Sequence, residues 1–236
     1  MPPELLIIVG IALAVLFAIF NHLAAKKRRE EMAELARSLG FRFSPGPDGR
    51  HDEEYGHFEI FRRGHSRVAL NTMTGKLPVD GRTLRVVAGD YRYRVTSGSG
   101  KGRNTRTYRF SYVILELSFD PPDLLIRPEG MFDKLAGVFG FDDIDFESAE
   151  FSKRFYVKSP DKKFAYDVIH PRMMEFLLKG LPAAIDIERG RICFADGRRR
   201  WEPPQFRRHF DYLERFLRLW PEHLMVQLDG GVSHAR

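Results

Sequence analysis

Hydrophobic positions run unbroken at one end of the chain and alternate with polar ones over much of the rest. From Leu5 to Ala25 the segment LLIIVGIALAVLFAIFNHLAA carries no charged residue. At about 1.5 Å per residue it makes a helix of roughly 31 Å, the thickness of a bilayer's hydrocarbon core. A helix satisfies its own backbone hydrogen bonds where water is absent, so a transmembrane anchor is predicted over residues 1–25. Its apolar surface comprises Leu5, Leu6, Ile7, Ile8, Val9, Ile11, Leu13, Val15, Leu16, Phe17, Ile19 and Phe20. Lys26, Lys27, Arg28 and Arg29 follow at once. Basic residues beside a span stay on the cytoplasmic side, which predicts an N-terminus outside and a cytoplasmic location for everything after Arg29. A cleaved signal peptide would carry its basic residues before the apolar run, and the only charged side chain before this one is Glu4. A buried core helix is the other alternative, since Asn21 and His22 limit the strictly apolar stretch to Leu5–Phe20. Both residues lie near the basic flank, at interfacial depth, where polar side chains cost little.

Beyond the span the period first stays helical. Met32, Leu35, Ala36 and Leu39 share one face, with Gly40 placed to end the helix, so residues 26–40 form the basic flank and a juxtamembrane helix. Residues 41–236 form the cytoplasmic domain. Pro, Gly and Asp mark Ser44–Tyr55 as loop. Strand-like, β-branched and aromatic segments follow at His57–Arg63, Arg67–Met73, Thr83–Val95 and Thr107–Phe119. In the last of these the alternation changes phase near Tyr112, which predicts a bulge or a change of sheet partner. Shorter strands are expected at Leu124–Arg127 and Arg154–Lys158, with a short helix at Glu129–Val138 between them. Asp161 is placed to cap a helix through Ile169, and Pro171 to open another through Lys179. Ala184–Glu188 and Ile192–Ala195 read as a hairpin across Arg189–Gly190. Phe206, Phe210, Leu213, Leu217 and Trp220 mark the buried face of a final helix opening at Pro203 or Pro204. The sum is an α+β domain with a largely antiparallel sheet and C-terminal helices behind a transmembrane helix.

Charge adds little to this picture. The chain carries +6; with the four flank cations and Glu4 set aside, +3 remains, too near balance to favour a nucleic-acid partner. The single cysteine, Cys193, excludes an internal disulfide and a multi-cysteine zinc site.

Candidate chemistry is sparse. Gly98–Gly102 (GSGKG) lacks the first glycine and the hydroxyl residue of a phosphate loop, and a strand follows it, so a flexible hairpin loop explains it better. His51, Asp52, Glu53, Glu54 and His57 could ligate metal, but their spacing fits no helical metal motif; no metal or cofactor is expected. Asp142, Asp143, Asp145, Glu147 and Glu150 could supply the paired carboxylates of a hydrolase, although the interleaved Phe141, Ile144, Phe146 and Phe151 are more simply anchors for a surface turn. Cys193, between Ile192 and Phe194, reads as a buried structural thiol. Arg189, Arg191, Arg198, Arg199 and Arg200, with Trp201, make a basic patch. It could meet anionic headgroups, at about 1 kcal/mol per nearby charge, or an acidic protein partner; a solvated surface is the simpler alternative.

GDYRYRV (Gly89–Val95), LLIRPEG (Leu124–Gly130), DIDFESAEFSKRFYV (Asp143–Val157) and FAYDVIHPRMMEFL (Phe164–Leu177) occur in this order. Together they resemble a family of uncharacterised bacterial single-pass membrane-anchored proteins whose domain has no assigned function. The resemblance covers about Gly40 to Trp201. It implies a membrane tether and a shared fold, and it brings no catalytic residues with it. The expected function is therefore binding or scaffolding at the cytoplasmic face, with the lipid bilayer, a protein or anionic headgroups as partner. The alternative is a membrane-tethered enzyme using the acidic 142–150 segment.

Overall fold

The computed structural model describes residues 2–131 and 144–230. Helix α1 (Pro3–Ser38) joins the apolar segment and the juxtamembrane helix into one rod of 36 residues. Its first part is long and apolar enough to cross a membrane, and none of that window is buried. The last turns differ. Arg28, Met32, Leu35 and Ala36 are buried, and their i, i+4, i+7, i+8 spacing puts them on one face. Gly40 ends the helix with φ +70°, the left-handed turn that glycine adopts without strain.

The chain then enters one sheet of eight strands. These are β1 (Arg42–Ser44), β2 (His65–Val79), β3 (Arg82–Ser97), β4 (Asn104–Glu116), β5 (Leu124–Pro128), β6 (Phe155–Lys158), β7 (Ala184–Glu188) and β8 (Arg191–Ala195). Their order is β1-β2-β3-β4-β8-β7-β5-β6, and each neighbouring pair is antiparallel. The fold is thus α+β, as the pattern predicts. The β7–β8 turn carries positive φ at both Arg189 and Gly190, the two-residue geometry that matches strand twist.

Sheet side chains alternate between two cores. Val86, Ala88, Val113 and Leu115 point to the face covered by Met32, Leu35 and Ala36 of α1 and by the late helices. Val87, Tyr91, Tyr93, Phe110, Tyr112 and Ile114 point to the other face, against Tyr55, Phe58, Ile60 and Phe61. Those last four require two corrections. His51–Glu54 and Glu59–Arg62 are helical turns, α2 and α3, where a loop and a strand are expected. Phe58 and Ile60 mimic strand alternation, but Phe61 is buried as well, and a short apolar run does not distinguish the two states.

The phase change in β4 also resolves. The β3–β4 register runs unshifted from Arg85↔Glu116 to Ser97↔Asn104, so β4 has no bulge against β3. Its second partner begins at Tyr112↔Ala195, and beyond that point both faces of the strand are covered. The expected Glu129–Val138 helix falls largely outside the described residues. Asp161 caps α5 (Lys162–Val168) by accepting the Phe164 N–H at 3.0 Å; α4 (Ala149–Arg154) precedes it. Pro171 opens α6 (Pro171–Leu178). Helix α7 (Pro203–Arg218) buries Phe206, Phe210, Leu213 and Leu217, and α8 (Glu222–Gly230) follows.

Candidate functional site

The site grows from an irregularity in β2. The register with β3 slips between Leu70 and Met73, and Asn71 adopts φ +52° there. Gly89 of β3 makes room for this bulge: a Cβ at Gly89 would lie 3.0 Å from the Leu70 carbonyl and 3.1 Å from that of Asn71. The bulge aims the Asn71 side chain at its neighbour, and its amide donates to Asp90 Oδ2 at 2.9 Å.

Asp90 is the centre of a buried network. Arg28 of α1 grips its carboxylate in a fork, Nε to Oδ2 at 2.6 Å and Nη2 to Oδ1 at 2.6 Å. Ser111, opposite Asp90 in the β3–β4 register, donates to Oδ1 at 2.7 Å. Arg28 Nη2 also reaches the Trp201 carbonyl at 2.9 Å, and the Trp201 N–H donates to Ser111 Oγ at 3.0 Å. One ion pair therefore ties α1, the β2 bulge, β3, β4 and the segment leading into α7. Side-chain exposures of 9% and 3% for Arg28 and Asp90 make this a largely buried pair.

Above this floor lies a cleft of about 410 Å³. Arg29, Arg92, Arg109 and Arg200 line it, with Ala25 of α1 and Pro47 on its wall. Arg92 and Arg109 face each other directly across β3 and β4, a like-charge placement that opposes strand pairing. Arg200 is held over the cleft because its neighbours are zipped to β4: the Ser111 N–H donates to the Arg199 carbonyl at 3.1 Å, and Trp201 bonds Ser111 from the other side. Burial lowers the Arg92 guanidinium pKa from its ordinary value, and Arg109 and Arg94 add to the effect. Ala25, Arg28 and Arg29 of α1 line the cleft together with Asp90 and Arg92 of β3. The cleft thus sits at the end of the domain where the apolar segment emerges.

The structure separates the sequence candidates. Lys26 and Lys27 are exposed, with loose i,i+4 pairs to Glu30 and Glu31 at 3.9 and 3.7 Å; Arg28 alone of the flank turns inward. The five-arginine patch is split. Arg189 and Arg191 lie at the β7–β8 turn, where Arg191 approaches Glu116 at 3.8 Å, whereas Arg198–Arg200 lie past the other end of β8. Arg199 pairs with Asp196 at 3.3 Å, Arg198 donates to the Gly130 carbonyl at 3.1 Å, and Arg200 joins the cleft. Asp145, Glu147 and Glu150 are exposed; Asp142 and Asp143 lie outside the described residues.

His51 sits among Tyr55, Phe61, Tyr91 and Tyr112 with ring centroids 4.7–5.6 Å away, a core position. Asp52 bonds Arg67 at 2.6 Å. The Gly98–Gly102 stretch is the tip of the β3–β4 hairpin. Cys193 is buried, and burial pushes its thiol pKa up. Arg92 and Arg109 escape a reading by motif. Their signal is compositional: Arg92, Arg94, Lys101, Arg103, Arg106 and Arg109 occur with no acidic residue between Tyr91 and Leu115.

The arrangement defines a class: an eight-stranded antiparallel α+β domain carried on a long apolar N-terminal helix, with a buried ion pair at the junction. No family profile and no curated protein matches the chain. Among solved structures it is similar to the crystal structure of the mycobacterial trehalose monomycolate transport factor A, TtfA. The TM-score is 0.50 at 12% identity, over 84% of this chain and 96% of that one. At that identity the likeness is one of fold.

Proposed function

We propose that this chain is a single-pass membrane-anchored binding protein, N-terminus outside, whose domain is held against the cytoplasmic face of the bilayer and engages a partner there. The observation that carries the reading is the Arg28–Asp90 pair. Three helical steps, about 4.5 Å of rise, carry the chain from Ala25 at the end of the apolar segment to Arg28, so the domain has no slack tether. Lys26, Lys27 and Arg29 remain exposed as the flank expected on the inner side. Continuity of α1 favours an anchor over a cleaved leader, because Ala24 and Ala25 lie in mid-helix. Exposure of Asp145, Glu147 and Glu150 takes three carboxylates away from the hydrolase alternative. The fold likeness to a trehalose monomycolate transport factor directs the search for partners to lipid-transport machinery at the membrane.

Fractionation tests the anchor. The full chain is expected to stay in the membrane pellet through alkaline carbonate and to leave it in detergent. Recovery in buffer after lysis, or a mature N-terminus beginning beyond Ala25, overturns the reading.

A further inference from the structure

The cleft between α1 and the β3–β4 hairpin holds an excess of positive charge that nothing in the fold explains. Asp90 is the only carboxylate among its lining residues, and it is already saturated by Arg28, Asn71 and Ser111. Arg29, Arg92, Arg109 and Arg200 line the cleft and make no ion pair among the described residues; the acidic groups felt by Arg200 are Asp90, already engaged, and Glu202. Arg92 and Arg109 are set directly opposite each other, and the Arg92 Nε is buried without a hydrogen-bond partner. Such an arrangement weakens the fold unless an anion occupies it.

We propose that this cleft binds a phosphate group, that of a phospholipid headgroup at the membrane surface. The proposal rests on the anchored reading above for the source of the phosphate. Guanidinium forks match phosphate oxygens in pairs, and several of them suit the monoester phosphate of a phosphatidic-acid headgroup, which carries up to two charges, better than a lone carboxylate. The wall supplies the second argument. Ala25, the last residue of the apolar segment, lines the cleft beside Leu70 and Pro47. A headgroup seated on the arginines thus leaves its acyl chains on the side where α1 enters the hydrocarbon. Asp90 also holds Arg28 away from the ligand, which makes Arg28 a positioning residue for the cleft.

The test uses the full chain in a neutral detergent, with native mass spectrometry and thermal unfolding as readouts. The probes are short-chain phosphatidic acid, short-chain diacylglycerol, inorganic phosphate and a polyglutamate peptide. Phosphatidic acid is expected to bind and to raise the melting temperature, while diacylglycerol does neither. In Arg92→Gln/Arg109→Gln its affinity is expected to fall at least tenfold. In Arg198→Gln/Arg199→Gln, outside the cleft, it is expected to stay within twofold. A merely structural arginine pair makes a different prediction: here the ligand-free Arg92→Gln/Arg109→Gln protein melts no lower than the wild type, since a repulsion has been removed. Binding of phosphatidic acid with inorganic phosphate as a weaker competitor supports a headgroup. Inorganic phosphate binding as tightly as the lipid overturns the lipid source. Binding of polyglutamate alone, or phosphatidic acid binding unchanged in the cleft variant, overturns the site. Because these measurements are made in detergent, they decide the cleft separately from the membrane topology.

Discussion

Replacing Arg28 by methionine keeps most of the side-chain volume and removes the charge that faces Asp90. The structure sets the size of the effect. Two charge-assisted bonds at 2.6 Å are lost, and the Trp201 carbonyl loses its donor at 2.9 Å. Asp90, 3% exposed at its side chain, keeps only the neutral donors Asn71 and Ser111. Breaking a buried pair from one side destabilises by about 3–5 kcal/mol, a large part of the roughly 5–15 kcal/mol that holds a typical domain together. Urea unfolding of the full chain in mild detergent, followed by tryptophan fluorescence, measures it; Trp201 belongs to the network and reports directly. The double variant Arg28→Met/Asp90→Leu leaves no orphaned charge. It is expected to recover at least about 2 kcal/mol of the single-variant loss, a coupling that only contacting residues show. An Arg28→Met protein within about 1 kcal/mol of wild type, with additive effects in the double variant, refutes the clamp.

Three further outcomes are expected. Gly89→Ala forces a Cβ to within 3.0–3.1 Å of the β2 bulge backbone and should lower stability by about 1–3 kcal/mol; an unchanged urea midpoint contradicts the close approach. Asp161→Ala removes the cap of α5 and should cost about 1 kcal/mol, read from the same unfolding curve. Acid should destabilise the fold through His51 and His209, whose pKa values burial lowers from 6.5 to about 4. The unfolded chain protonates them below pH 6.5 and the folded chain only near pH 4. Their contribution is therefore complete above pH 6.5 and shrinks as pH falls towards 4, by up to about 3 kcal/mol each. His51→Leu should flatten that slope in a pH series of melting temperatures.

Features that depend on local chemistry were legible in the sequence. The apolar segment, the Asp161 cap, Pro171 at the start of α6, the Arg189–Gly190 turn and the buried stripe of α7 each follow from a few adjacent residues. Features that depend on register were not. Arg28 reads as one more flank cation until the fold brings it to Asp90, 62 positions away. Arg92 and Arg109 become a pair only when the unshifted β3–β4 register sets them opposite, and no spacing in the chain announces that. The division of the five arginines between the two ends of β8 is hidden for the same reason, because it depends on the length and pairing of that strand. Conversely, His57–Arg63 reads as a strand although Glu59–Arg62 is helical, because burial on a helical turn and alternation on a strand leave the same short trace.

Side-specific cysteine labelling tests the central claim most directly. The one native thiol, Cys193, is buried, so Ser99→Cys at the exposed β3–β4 hairpin tip provides a single reactive position on the domain. A membrane-impermeant maleimide is expected to label it in inverted vesicles and not in intact cells. Labelling in intact cells would contradict a domain clamped to the cytoplasmic surface.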